Sequence, residues 1–303
     1  MKILITGSNG LLGQKLVYAL LKRDDISVIA TARGENRISK KVGYQFESCD
    51  LSNRARVEEI LQKHQPDCII HTAAMTNVDA CELDPISCKV NNVDTVKHLL
   101  TAAKNYGTHI IDISTDFVFD GTSGPYKESD ATHPLSTYAQ SKVDAENLVM
   151  ESGLPWTIIR TMIIYGVTDD HQRSNVVLWT KKSLEDQKEI NVINDQFRGP
   201  TLAEDLAEAC ITAATKKVQG IFHVSGKEVI SILEIAQRVA DYFHLDKKYI
   251  LPITTASLKQ PALRPLKTGF IIEKAEKELS YRPHSLEEGL KIISEQLMKR
   301  QEV

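Results

Sequence analysis

An apolar strand, Ile3 to Thr6, runs directly into glycines at 7, 10 and 13, and Leu16, Val17, Leu20 and Leu21 follow at helical spacing. Few arrangements constrain a fold as strongly. Gly7 permits a tight turn out of the strand, Gly10 lets backbone approach a pyrophosphate, and Gly13 lets the helix lie close on the sheet, its N-terminus facing the anion. An ordinary glycine-bearing turn would share the composition, but strand, turn and helix in this order point to a dinucleotide site. The spacing, Gly-x-x-Gly-x-x-Gly, makes the turn one residue longer than Gly-x-Gly-x-x-Gly.

Short apolar runs alternate with amphipathic stretches through the first half, at 3–6, 27–31, 44–47, 68–72, 110–114 and 156–160. Such alternation predicts strand-helix-strand units in a doubly wound parallel sheet, the runs at 68–72 and 110–114 being apolar enough for central strands covered on both faces. After Gly166 the pattern changes. A short strand is expected at 191–194 and another at 221–224, with helices opening at Thr201, Ser231 and Ser285. Each of those helices begins with a capping box, formed with Glu204, Glu234 and Glu288 respectively. The stretch 250–269, with Pro252, Pro261 and Pro265, reads as irregular loop. The chain therefore divides into a dinucleotide-binding domain, 1–166 with 199–225 returning to it, and a smaller α/β substrate lobe, 167–198 and 226–303.

A chain of 303 residues, 42% hydrophobic, can bury a large core. A net charge of -3 without blocks of like charge gives no field that favours nucleic acid or an anionic membrane. The five-residue apolar start is too short for a signal peptide and no stretch has transmembrane length, so a cytoplasmic protein is expected. Five cysteines, none in a Cys-x-x-Cys pair or beside a histidine at ligand spacing, read as reduced and structural, with no metal site.

Tyr138 and Lys142 lie four residues apart on a helix expected between Pro134 and Gly153, so phenol and ammonium share one face. A tyrosine titrates near 10 in water, and a lysine beside it would depress that value and make it a usable acid or base. Upstream, Ser114, Thr115 and Asp116 sit at the C-terminal end of a strand, where open α/β sheets bind ligands. There Thr115 can hydrogen-bond a carbonyl oxygen, although such residues also terminate strands by local side-chain bonds.

Together Ser-Thr-Asp-Phe-Val-Phe-Asp-Gly at 114–121, Pro-Tyr-Lys-Glu at 125–128, Pro-Leu-Ser-Thr-Tyr-Ala-Gln-Ser-Lys at 134–142, Arg160-Thr161, Tyr165-Gly166, Asp-Gln-Phe-Arg-Gly-Pro-Thr at 195–201 and Arg264-Pro265 resemble the dTDP-4-dehydrorhamnose reductase branch of the extended short-chain dehydrogenases. The resemblance spans nearly the whole chain. It implies a Rossmann-type oxidoreductase that reduces a nucleotide-linked 4-keto sugar, with Thr115, Tyr138 and Lys142 as the catalytic triad. It places Gly7, Gly10, Leu11 and Leu12 at the cofactor pyrophosphate, Asp50 and Leu51 at the adenine, and Ala73, Ala74 and Met75 beneath the nicotinamide ribose, which Tyr138 and Lys142 also reach. Thr115, Asp116, Ile163, Arg198 and Arg264 become substrate contacts. Arg33, at the end of the second strand, suits a 2'-phosphate, so NADP(H) is favoured over NAD(H).

Two departures bear on the substrate. Ile163 stands where that branch usually has a tryptophan against the sugar, and Arg198 occupies the place of the glycine in Asp-Gln-x-Gly. Two other readings share the fold: an epimerase or dehydratase that retains its NAD, and a non-catalytic NADP-binding subunit that partners a methionine adenosyltransferase. The oligomeric state is open, a homodimer included.

Overall fold

The computed structural model describes residues 1–170 and 174–301; parts of the second lobe's expected span, 171–173 and 302–303, lie outside them. Strands β1 (Lys2–Thr6), β2 (Ser27–Ala32), β3 (Gln45–Ser48), β4 (Cys68–His71), β5 (His109–Thr115) and β6 (Trp156–Thr161) join the edge strand Gly220–His223 in one parallel sheet. From that edge the order runs through β6, β5, β4, β1 and β2 to β3, so the chain reverses direction between β1 and β4. This is a doubly wound α/β sheet, and the reversal opens the crevice in which such sheets bind ligands.

Alternation along each strand fills the two faces. Ile3, Ile5, Cys68, Ile70 and Ile111 pack on one side with Leu16, Val17 and Leu20 of helix α1 (Leu11–Leu20) and with helix Ala203–Lys216. Leu4, Ile69, Ile110 and Ile158 pack on the other with helices α2 (Arg54–His64), α5 (Thr95–Ala103) and α6 (Thr137–Met150). Between α2 and α5, the short helices α3 (Val78–Leu83) and α4 (Pro85–Lys89) follow β4. Separate apolar clusters in the second half gather Tyr165, Val177, Ile235, Val239 and Leu290, and Leu184, Ile190, Val192, Ala236 and Ile250.

Two expectations for the second half need correction. The helix expected from Thr201 begins at Ala203, capped by Leu202 without a side-chain bond. The Thr201 hydroxyl donates instead to the Met162 carbonyl at 2.7 Å, because Thr201–Leu202 pairs with Ile164–Tyr165. The box at Ser285 forms in both directions, and at Ser231 the serine side chain accepts the Glu234 N–H without the reciprocal bond from Glu234. The stretch 250–269 is not all loop: Ile250–Ile253 pairs in parallel with Ile190–Ile193. Pro252 fits there because it is solvent-exposed on a two-stranded sheet, where no further neighbour demands its missing N–H. Among the described residues no helix is long and apolar enough to cross a membrane.

The turn after β1 leaves no room for a side chain at Gly7 or Gly13. Gly7 has φ of 69°, and a Cβ on Gly13 would lie 2.5 Å from the Gly7 carbonyl oxygen and 2.6 Å from the Ser8 Cα. Backbone cannot swing aside as a side-chain tip can, so Gly13→Ala is expected to cost about 1–3 kcal/mol, read as a lower urea midpoint. An unchanged midpoint would show that α1 can lift off the turn.

Candidate active site

Two cavities share Gly10, Thr72, Ala74 and Thr76 in their walls and form one groove along the C-terminal ends of the strands. The smaller, about 230 Å³, is bounded by Gly7, Arg33, Arg37, Asp50, Leu51 and Ala73. The larger, about 520 Å³, is bounded by Leu11, Leu12, Thr115, Tyr138, Lys142 and Ile163, and reaches Arg198 and Arg264. Gly10 caps α1 without any side-chain bond, which leaves the first-turn N–H groups at the junction of the two cavities without a side-chain acceptor. An uncapped helix start beside a guanidinium-bearing pocket fits the diphosphate and phosphate groups of a dinucleotide. Arg37, four residues beyond Arg33, escapes a reading centred on the strand end. Its loop is held by Asn9, whose side chain accepts from the Arg37 N–H and donates to the Glu35 carbonyl, both at 2.8 Å. Glu35 itself bounds neither cavity.

Met75 lies beside the two cavities rather than in their walls. The Asn92 side chain accepts from its N–H at 2.7 Å and donates to its carbonyl at 3.1 Å, and its side chain packs with Cys81, Cys88 and Tyr138. Thr76, one residue on, faces the groove instead.

Tyr138 and Lys142 project from α6, whose start Ser136 caps by accepting the Ala139 N–H. Thr115 ends β5 and lines the same cavity wall as the Tyr138 phenol, its hydroxyl donating to Asp116 at 3.2 Å. Burial pushes the Tyr138 phenol well up, and the nearby Thr115 hydroxyl draws it partly back. Lys142 contributes no such depression among the protein's own groups, and its ammonium pairs with Asp112, 3.4 Å away. Burial holds the phenol in its protonated form.

Asp116 and Arg198 both border the larger cavity, yet their polar atoms are largely spoken for. Arg198 Nε lies 2.9 Å from an Asp116 oxygen, and the guanidinium also donates to the carbonyls of Phe197, Leu266 and Pro265 at 2.7, 3.1 and 2.6 Å. Asp116 accepts further from Thr268 and Thr115. Burial pushes the Asp116 carboxyl up and the Arg198 guanidinium down, and each offsets the effect on the other. Four of the five Arg198 N–H groups are used in these contacts, so the guanidinium braces the cavity wall that it lines. Arg264 is less enclosed and pairs both ways with Asp79 of α3, at 2.7 and 3.0 Å.

The groove, its uncapped helix start and the hydroxyl pair beside a lysine define a dinucleotide-binding α/β protein with an acid-base site. The chain belongs to the RmlD substrate binding domain family, whose model matches residues 1–299. It is 30% identical to the dTDP-4-dehydrorhamnose reductase of Aggregatibacter actinomycetemcomitans over 304 residues, covering 96% of this chain and 98% of that one. It is 33% identical over 258 residues to methionine adenosyltransferase 2 subunit beta of Xenopus laevis, covering 84% and 75%. A crystal structure of a dTDP-4-dehydrorhamnose reductase from Clostridium acetobutylicum superimposes with a TM-score of 0.85 at 30% identity, covering 98% and 100%. That of the Bacillus anthracis reductase in complex with NADP gives 0.82 at 26%, covering 97% and 99%.

The two arginines are expected to differ sharply on truncation. Arg198→Ala leaves a buried carboxylate without its counter-charge and should cost about 3–5 kcal/mol. Arg264→Ala removes a partly exposed pair and should cost about 1 kcal/mol or less. Equal thermal shifts in the two variants would refute the brace.

Proposed function

We propose that the protein is a cytoplasmic NADPH-dependent reductase of a nucleotide-linked 4-keto sugar, of the dTDP-4-dehydrorhamnose reductase type. The observation that carries this reading is the meeting of Thr115, Tyr138 and Lys142 at one wall of a cavity that opens onto the glycine turn. When bound, the reduced nicotinamide supplies hydride to the ketone carbon. Gly7, Gly10, Leu11 and Leu12 hold the diphosphate through the turn and the α1 N-terminus. Arg33, with Arg37 beside it, receives the 2'-phosphate, and Asp50, Leu51, Ala73, Ala74 and Thr76 flank the nucleosides.

Tyr138 is the acid. Burial keeps its O–H intact at neutral pH, so a proton is ready for the ketone oxygen as that oxygen gains charge. Thr115, beside that phenol on the cavity wall, turns its hydroxyl from Asp116 to donate to the same oxygen, fixing the carbonyl in reach of the proton. Lys142 holds the cofactor ribose. Ile163 provides an apolar wall for the sugar, and Arg264 is the diphosphate contact, for which it must release Asp79. We assign 1–166 and 199–225 to the cofactor half, and 167–198 and 226–303 to the substrate half.

The relatives that are subunits of a methionine adenosyltransferase favour a second reading, in which the cofactor site serves assembly. A binding protein has no need of an acid held at a hydroxyl pair, which supports catalysis over this alternative. Incubation with NADPH and a dTDP-linked 4-keto-6-deoxy sugar separates the two readings. Oxidation of NADPH matched by loss of the ketone is expected, and absence of turnover together with tight association with a methionine adenosyltransferase would favour the subunit.

Two variants sharpen the test. Tyr138→Phe should retain NADPH binding and lose about a hundred- to ten-thousandfold in turnover; turnover equal to the parent would remove Tyr138 from the mechanism. Arg33→Ala should weaken NADPH by about tenfold or more while sparing NADH, which has no group there to lose. Equal weakening of both would place Arg33 away from the phosphate.

A further inference from the structure

Behind the groove, under α6, lies a layer of buried charge that the proposed chemistry does not use. On the α6 face of β5, Asp112 and Ser114 follow Ile110 in alternation, and α6 lowers Lys142 and Glu146, one turn apart, onto them. Glu146 is fully engaged: Ser114 donates to it, and Arg160 of β6 binds it through Nε at 2.9 Å and Nη2 at 2.6 Å. Asp112 is not. One of its oxygens lies 3.4 Å from Lys142 Nζ, while the other, Oδ1, is buried without a hydrogen-bond partner. The Asp112 and Lys142 side chains are 1% and 3% exposed.

Among the described residues the other buried carboxylates near the site are committed, Asp116 to Arg198 and Glu146 to Arg160. Across the sheet, Asp112 is in register with His71 of β4 and Ile158 of β6. His71 is bonded to the Thr6 hydroxyl at 2.6 Å, and burial, with the Lys142 charge, pushes its ring down to about 3, so it is neutral. Burial pushes the Asp112 carboxyl up, and Lys142 draws it back. Along α6, Glu146 is committed to Arg160, and Tyr138 is protonated. A buried carboxylate with an idle oxygen is costly to the fold, and replacing such a pair by apolar groups is often neutral or stabilising.

Lys142 borders the larger cavity and Asp112 does not, so the carboxylate stands behind the ammonium as seen from the groove. We infer that Asp112 is a positioning residue for the cofactor: it anchors one of the three Lys142 N–H groups from behind and so aims the other two into the groove. The inference rests on the reading of Lys142 as a ribose contact. It explains why a buried, half-satisfied carboxylate is placed under the lysine when the fold itself gains little from it.

The test is a double-mutant cycle with Asp112→Asn, Lys142→Met and the double variant, read by urea unfolding and by the NADPH Kd from nicotinamide fluorescence. With Lys142 present, Asp112→Asn should weaken NADPH by about tenfold, the loss of roughly one charge-assisted contact. In the Lys142→Met background the same change should leave the NADPH Kd unaltered. A role confined to the fold would lower stability and affinity alike in both backgrounds, and would overturn the inference. If Asp112→Asn alone fails to fold while the double variant folds, the carboxylate is a counter-charge that serves the fold, and if both fail it serves the fold independently of Lys142; either result overturns the inference. A parent protein that binds no NADPH would sink the cofactor reading itself, whereas a parent that binds it with Asp112→Asn at equal affinity would sink only the positioning role.

Discussion

The buried guanidinium of Arg198 is the point on which the geometry of the groove depends. It ties three stretches far apart in sequence: the end of β5 through Asp116, its own short strand through the Phe197 carbonyl, and the proline-bearing loop through the carbonyls of Pro265 and Leu266. Thr268 completes the closure by donating to the same carboxylate. The sheet alone sets the floor of the larger cavity; this cluster sets where its far wall stands. Thr115 sits one residue from Asp116 and Arg264 one residue from Pro265, so the acid-base pair and the expected diphosphate contact are placed by one ion pair.

That pair also shows where sequence reasoning stops. An arginine in a turn resembles any solvent-facing cation, and its burial depends on carbonyls nearly seventy residues away that no local pattern announces. The features that were legible share a local cause. The glycine turn, the parallel strands and a helix between Pro134 and Gly153 each follow from periodicity or sterics within a dozen or so residues. Tyr138, Lys142 and Thr115 were legible as candidates because strand order places their elements side by side. At Met75 a bond no local pattern announces fixes the geometry, since Asn92 pins its backbone and its side chain packs with the cysteines. Thr201 misled because its hydroxyl had two acceptable partners, a helix N–H or the Met162 carbonyl, and strand pairing decided between them.

The two ends of the groove carry different electrostatics. Arg33 and Arg37 border the smaller cavity, and Glu35, the acid nearest in sequence, does not. A site built this way favours the phosphorylated dinucleotide. At the other end, a phenol kept protonated by burial suits proton delivery to an oxygen that is gaining charge, whereas abstraction of a hydroxyl proton would call for a depressed phenol. Both ends of the groove therefore lean toward reduction.

The wall facing that phenol carries strain. Ile163 has φ of 35°, a left-handed conformation that a β-branched residue adopts only under constraint. Such a conformation costs about 1–3 kcal/mol. The constraint is visible on both sides: the Met162 carbonyl receives the Thr201 hydroxyl, and the Ile163 carbonyl receives the Thr201 N–H at 3.3 Å. Between those bonds the chain must leave β6 and at once form the Ile164–Tyr165 strand, and a residue turned left-handed makes that corner while its side chain borders the cavity. Glycine would make the same corner without strain but would leave no wall. The strain is therefore the consequence of requiring a corner and an apolar surface from one residue, at the position where relatives of the reductase branch use an aromatic ring.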